Sequence, residues 1–200
     1  MWSPPPTLGW DRFALLGHSL GGGIASFVAA TLPERIDRVA MIEGLGPPTS
    51  NPADGPANLR KTIQQMDALP HHKRPRSMRI WKPRFRRAAR LVLSWVAATI
   101  LVERSVRPVD GGWLAHRSSA AFRLAMYPER AANLGLWNCI VAPALLICGA
   151  DGYLVKRAYM QERYARIADL TVKILPGGHH PHLEDPEPCA HLLAPFLTAV

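Results

Sequence analysis

The pentapeptide Gly17-His18-Ser19-Leu20-Gly21 stands between a β-prone apolar run, Phe13-Ala14-Leu15-Leu16, and a helix-prone stretch from Gly22 to Leu32. Strand, G-x-S-x-G and helix in that order describe a nucleophile elbow, a turn tight enough to hold its serine in a strained conformation with the hydroxyl exposed. Such a turn needs small flanks, and a Cβ at Gly17 or Gly21 is expected to collide with the neighbouring strand or helix. Ile24-Ala25-Ser26-Phe27-Val28-Ala29-Ala30 supplies a buried helix behind the turn, and Pro33 stops it. Ser19 is therefore the candidate nucleophile. His18 is expected to pack beside the turn or to line a substrate, and hydrolysis is the expected chemistry.

A serine nucleophile at an elbow needs a base and an acid later in the chain, in the order serine, acid, histidine. The loop Pro176-Gly177-Gly178-His179-His180-Pro181-His182-Leu183-Glu184-Asp185-Pro186 follows a predicted strand, Leu170 to Leu175, and precedes a predicted helix. Open parallel sheets keep their sites at the C-terminal ends of strands, which is where this loop lies. His179, directly after the glycine pair, is the candidate general base, histidine being the residue type whose ordinary pKa lies nearest neutrality. Its neighbours His180 and His182, with Glu184 and Asp185, match no metal-ligand spacing, so neither a metal ion nor a cofactor is expected. Two carboxylates compete for the role of acid. Asp151 follows a predicted strand from Pro143 to Gly149, and Glu43 ends a predicted strand from Arg38 to Ile42. Either could orient the imidazole and stabilise its protonated form, and spacing leaves both open.

Two hundred residues, 48% of them hydrophobic, suffice for one core, and alternating strands and helices predict an α/β fold with a mainly parallel sheet. Cys139, Cys148 and Cys189 are an odd count without C-x-x-C spacing. That excludes a disulfide framework, makes Cys148 a buried thiol and sets a cytoplasmic location as the expectation. Met1-Trp2-Ser3-Pro4-Pro5-Pro6 lacks the basic start and apolar run of a secretory leader. Pro47-Pro48 and Asn51-Pro52-Ala53-Asp54-Gly55-Pro56 read as a linker opening an insertion that runs to Asn138. From Arg60 to Arg107 there are 13 Lys/Arg against 2 Asp/Glu, a surplus of 11 in a chain whose net charge is +9, so the remainder sums to −2. Such a basic insertion could steer anionic substrates, touch a membrane surface or bind nucleic acid non-specifically. Arg79-Ile80-Trp81-Lys82 and Arg84-Phe85-Arg86-Arg87 interleave aromatics with charge, but no nucleic-acid motif accompanies them, and arginines on outer helix faces account for the charge. Ala88 to Val102 is apolar except for Arg90, Ser94 and Thr99, too short to cross a bilayer, and predicts a buried helix. Trp95, Trp113 and Trp137 are candidates to line an apolar pocket.

Taken together, Arg12 to Gly22, Pro33 to Arg38, Glu43-Gly44-Leu45-Gly46-Pro47 and the Gly178 to Pro186 loop resemble the α/β-hydrolases, in particular bacterial relatives of the serine hydrolase-like proteins. The resemblance implies the C-terminal half of an α/β-hydrolase parallel sheet, residues 1–46 and 139–200, carrying a helical lid over 47–138. It also implies acyl transfer from a small carboxylic ester or thioester to water through an acyl-enzyme. The Leu20 N–H, at a helix start, becomes one oxyanion donor. Serine rather than aspartate at the elbow separates the chain from the dehalogenases and epoxide hydrolases of the superfamily. In many members the acid stands three residues after the glycine of the seventh strand, which counted from Gly149 is Gly152, one residue past Asp151. In others it follows the sixth strand, where Glu43 matches, and Glu43 is favoured. Only eighteen residues precede Ser19, so the family's first four strands and its second oxyanion donor are expected to be missing, as in a chain that starts within a longer protein. Phe13 to Leu16 then becomes an apolar edge strand, with self-association expected. Two alternatives stand beside the hydrolase: a catalytically inactive fragment, and a protein that binds anionic surfaces through the basic insertion.

Overall fold

The computed structural model describes residues 9–46, 52–67, 93–115 and 135–199. In chain order the elements are strand β1 (Phe13–His18), helix α1 (Leu20–Thr31), strand β2 (Ile36–Ile42), helices α2 (Gly55–Asp67) and α3 (Trp95–Ser105), strands β3 (Val106–Val109), β4 (Gly112–Ala115) and β5 (Ala144–Gly149), helix α4 (Tyr159–Tyr164), strand β6 (Leu170–Leu175), and helices α5 (Pro181–Glu184) and α6 (Pro186–Thr198). They fall into two compact units: Met1–Pro47 with Ala131–His182 and Glu187–Val200, and Pro48–Arg130 with Leu183–Pro186.

The first unit is built on a four-stranded sheet of order β1-β2-β5-β6, parallel throughout. The two central strands are covered on both faces, and their residues alternate between two cores. Val39, Met41, Leu146 and Cys148 pack on one side with Ala25 and Ala29 of α1 and with Trp137 and Ile140. Ala40, Ile42, Leu145 and Ile147 pack on the other with Cys189, Leu192, Leu193, Phe196 and Leu197 of α6. Among the described residues β1 pairs only with β2. Phe13 and Leu15 turn toward the first core, whereas Leu16 is 52% exposed. Because all four strands run the same way, the residues that follow them emerge along one sheet edge.

In the second unit the expected all-helical insertion also contains a hairpin. β3 and β4 pair antiparallel with Val109 opposite Gly112, closed by Asp110-Gly111. The turn works because Gly111 and Gly112 take φ of 79° and 141°, conformations a side chain disfavours. Of the buried helix predicted over Ala88–Val102, residues 88–92 lie outside the described residues, Leu93 and Ser94 precede the helix, and Val96 is 68% exposed rather than buried. Ser94 Oγ accepts the Ala97 N–H at 3.1 Å, an N-cap that begins α3 at Trp95 and leaves Leu93 outside it. Leu93, Ala97 and Ala98 form a small core with Leu101 and Leu183. The aromatic-basic runs Arg79–Lys82 and Arg84–Arg87, and the Pro47-Pro48 linker, lie outside the described residues. No helix among the described residues is long and apolar enough to cross a membrane.

Candidate active site

Ser19 links β1 to α1 with φ 54° and ψ −116°, a backbone conformation that costs a non-glycine residue about 1–3 kcal/mol. Hydrogen bonds hold it there. Its N–H donates to the Ile42 carbonyl at 2.8 Å, and its own carbonyl accepts the Gly23 N–H at 3.1 Å. A Cβ on Gly17 would overlap the Gly21 carbonyl, as the sequence predicts. The expected collision at Gly21 does not occur, since a Cβ there meets nothing within 4 Å. Crowding falls one residue later, where a Cβ on Gly22 would overlap the Gly44 carbonyl, and a Cβ on Gly44 would overlap the carbonyl of Ser19. The elbow is thus wedged against the loop that follows β2, and two glycines outside the pentapeptide make the approach possible.

That loop begins with Glu43, the second non-glycine residue at positive φ, 48°. Its N–H donates to the Ile147 carbonyl at 2.8 Å, and its side chain is fully buried. A buried carboxylate requires partners, and this one has two. Oε1 accepts the Gly149 N–H at 2.8 Å, and Oε2 lies 3.1 Å from His179 Nδ1. The other ring nitrogen of His179, Nε2, lies 2.8 Å from Ser19 Oγ. Serine hydroxyl, imidazole and carboxylate therefore form one continuous hydrogen-bonded relay across the ends of β1, β2 and β6. Gly152 completes the carboxylate's cavity, because a Cβ there would overlap Oε1.

The pattern of the alpha/beta hydrolase family matches residues 6–192. The chain belongs to the alpha/beta hydrolase family. A serine hydrolase-like protein from Danio rerio is 31% identical over 95% of this chain and 62% of its own length. One from Dictyostelium discoideum is 26% identical over 89% of this chain and 53% of its own length. This alpha/beta hydrolase chain therefore spans between half and two thirds of the length of those curated relatives. Among solved structures, a hypothetical protein from Pseudomonas aeruginosa PAO1 superposes with a TM-score of 0.79 at 31% identity, covering 94% of this chain and 68% of the other.

The remaining predicted residues of this alpha/beta hydrolase are distributed as follows. Asp151 is exposed, its N–H donates to the Gly177 carbonyl at 2.9 Å, and its carboxylate makes no hydrogen bond to His179. Leu20 opens α1 beside Ser19. His18 packs its ring 4.9 Å from that of His179 and donates Nε2–H to the His179 carbonyl at 2.8 Å, since a carbonyl can only accept. Burial lowers its pKa to about 4, so the ring is neutral near pH 7. Trp113 lies on the hairpin of the second unit, opposite Pro108. Trp137 is no pocket residue: it is fully buried in the core, its ring tilted against that of Phe27 at 5.4 Å. Cys148 is buried as expected, and burial raises its thiol pKa to about 11, which leaves it unreactive near neutrality.

Tyr153 is a site residue that sequence reasoning missed. Its hydroxyl donates to the Glu43 carbonyl at 3.1 Å and also has the Ser19 side chain as a hydrogen-bond partner, while its ring lies 4.7 Å from that of His179. Burial raises the phenol's pKa, so it stays protonated. No motif flags a tyrosine two residues beyond Asp151. Only the fold back of the loop after β5 brings it over the histidine.

Proposed function

We propose that this alpha/beta hydrolase is a serine hydrolase of carboxylic esters or thioesters, with Ser19 as nucleophile, His179 as general base and acid, and Glu43 as the orienting carboxylate. In this reading Ser19 Oγ attacks the substrate carbonyl carbon while its proton passes to His179 Nε2. The imidazolium, held through Nδ1 by Glu43, returns that proton to the departing alcohol or thiol as the carbonyl–heteroatom bond breaks. A water deprotonated by His179 then attacks the acyl-serine carbonyl and releases the acid and the free Ser19 hydroxyl. The Leu20 N–H serves as one donor to the tetrahedral oxyanion.

The observation that carries this reading is the continuous relay from Ser19 Oγ through both nitrogens of His179 to Glu43, with separations of 2.8 and 3.1 Å. A nucleophile and base within hydrogen-bond reach, with the base oriented by a third group, is the signature of an activated serine. The serine hydrolase-like names of the curated relatives agree with it. Labelling by a fluorophosphonate tests it: Ser19 is expected to be modified, identified by peptide mass, and Ser19→Ala to remain unmodified. A folded chain that leaves Ser19 unlabelled contradicts the proposal.

A further inference from the structure

His18, His180 and His182 each offer a ring nitrogen, and the three nitrogens lie within 4.8 Å of one another. Spacing along the loop hides this group, because His18 belongs to β1 and reaches the loop only across the folded sheet. The rings of His180 and His182 lie 4.7 and 4.4 Å from that of His18. Nδ1 of His180 and Nδ1 of His182 are buried without a hydrogen-bond partner. Leaving buried polar atoms unsatisfied costs about 1–3 kcal/mol each, so such pairs need an explanation. His18 has the complementary feature. By donating Nε2–H to the His179 carbonyl it fixes its tautomer and leaves Nδ1 with the lone pair, the arrangement that metal-ligating histidines adopt.

We propose that His18, His180 and His182 form a three-histidine site for Zn2+. Zn2+ takes imidazole nitrogens at about 2.0–2.1 Å, which puts tetrahedral ligand atoms about 3.4 Å apart. Side-chain rotations closing the present separations by roughly 1.4 Å meet that requirement, and water fills the fourth position. Burial lowers the pKa of His18 to about 4 and of His180 to about 3, so both present lone pairs at neutral pH without releasing a proton. His179 lies 4.9 Å, ring to ring, from both His18 and His180.

Chelator-treated protein is titrated calorimetrically with Zn2+, and with Co2+ followed by visible absorption, alongside His182→Gln and His180→Gln, with circular dichroism as the fold check. One Zn2+ per chain, the intense absorption of four-coordinate Co2+, and affinity at least about tenfold weaker in either variant are expected. Mg2+, which takes oxygen ligands, is expected not to compete. Absence of Zn2+ binding, or equal affinity in wild type and a folded variant, overturns the site.

Discussion

Two carboxylates, Glu43 and Asp151, follow neighbouring parallel strands of the same sheet, and their fates are opposite. Glu43 is fully buried, clamped between the Gly149 N–H and His179, whereas Asp151 faces solvent. The difference is one residue of chain direction. After β5 the position that faces this cavity is Gly152, and the Glu43 carboxylate fills the space its side chain would need. A single cavity beside His179 is thus served from the strand next door, and the loop that could have supplied a carboxylate supplies a void. What orients a base is the cavity, and any strand bordering it can provide the carboxylate.

The largest expected effect that sharpens this contrast is on Glu43→Gln, which keeps the volume and removes the charge. Loss of the orienting carboxylate is expected to lower kcat by about ten-thousandfold in ester-hydrolysis assays. Gly152→Ala intrudes on the same cavity from the other side. Pushing Oε1 out of place is expected to cost about a hundredfold in kcat with the fold retained by circular dichroism, because small misplacements of catalytic groups carry penalties of that order. Gly44→Ala collides with the carbonyl of Ser19, and thermal unfolding is expected to register about 1–3 kcal/mol of lost stability. Tyr153→Phe removes a hydroxyl bonded to the Glu43 carbonyl and is expected to cost about 1 kcal/mol, read as a several-fold loss of kcat/KM.

A pH effect completes the series. His18 and His180 have folded-state pKa values lowered to about 4 and about 3, below the ordinary 6.5 of the unfolded chain. Between pH 6.5 and those values the unfolded chain binds more protons, so stability is fully present above pH 6.5 and falls as pH drops. Tm is expected to be lower at pH 5 than at pH 7, and less so in His180→Gln.

Much of this was legible before folding. The strand Leu170–Leu175 was bounded by its own β-branched pattern, and the elbow was readable because a strand, G-x-S-x-G and a helix are contiguous in the chain. What escaped depended on contacts between distant segments. A Cβ on Gly21 would meet nothing within 4 Å, and the glycines that matter, Gly22 and Gly44, meet where the first turn of α1 approaches the loop after β2. Asp110-Gly111 carried the hairpin turn, but an expectation of helices obscured it. Glu43 and Asp151 were equal by spacing because spacing does not tell which way a side chain points. His18 joins His180 and His182 only after the sheet forms, so no ligand spacing announces them.

The central claim, that Ser19 is activated through His179 by Glu43, is tested most directly by the rate of Ser19 labelling with a fluorophosphonate in wild type, Glu43→Gln and Asp151→Asn at pH 7. The account predicts a fall of about a thousandfold or more in Glu43→Gln and less than about twofold in Asp151→Asn. Equal losses in the two variants, or a larger loss in Asp151→Asn, would contradict it.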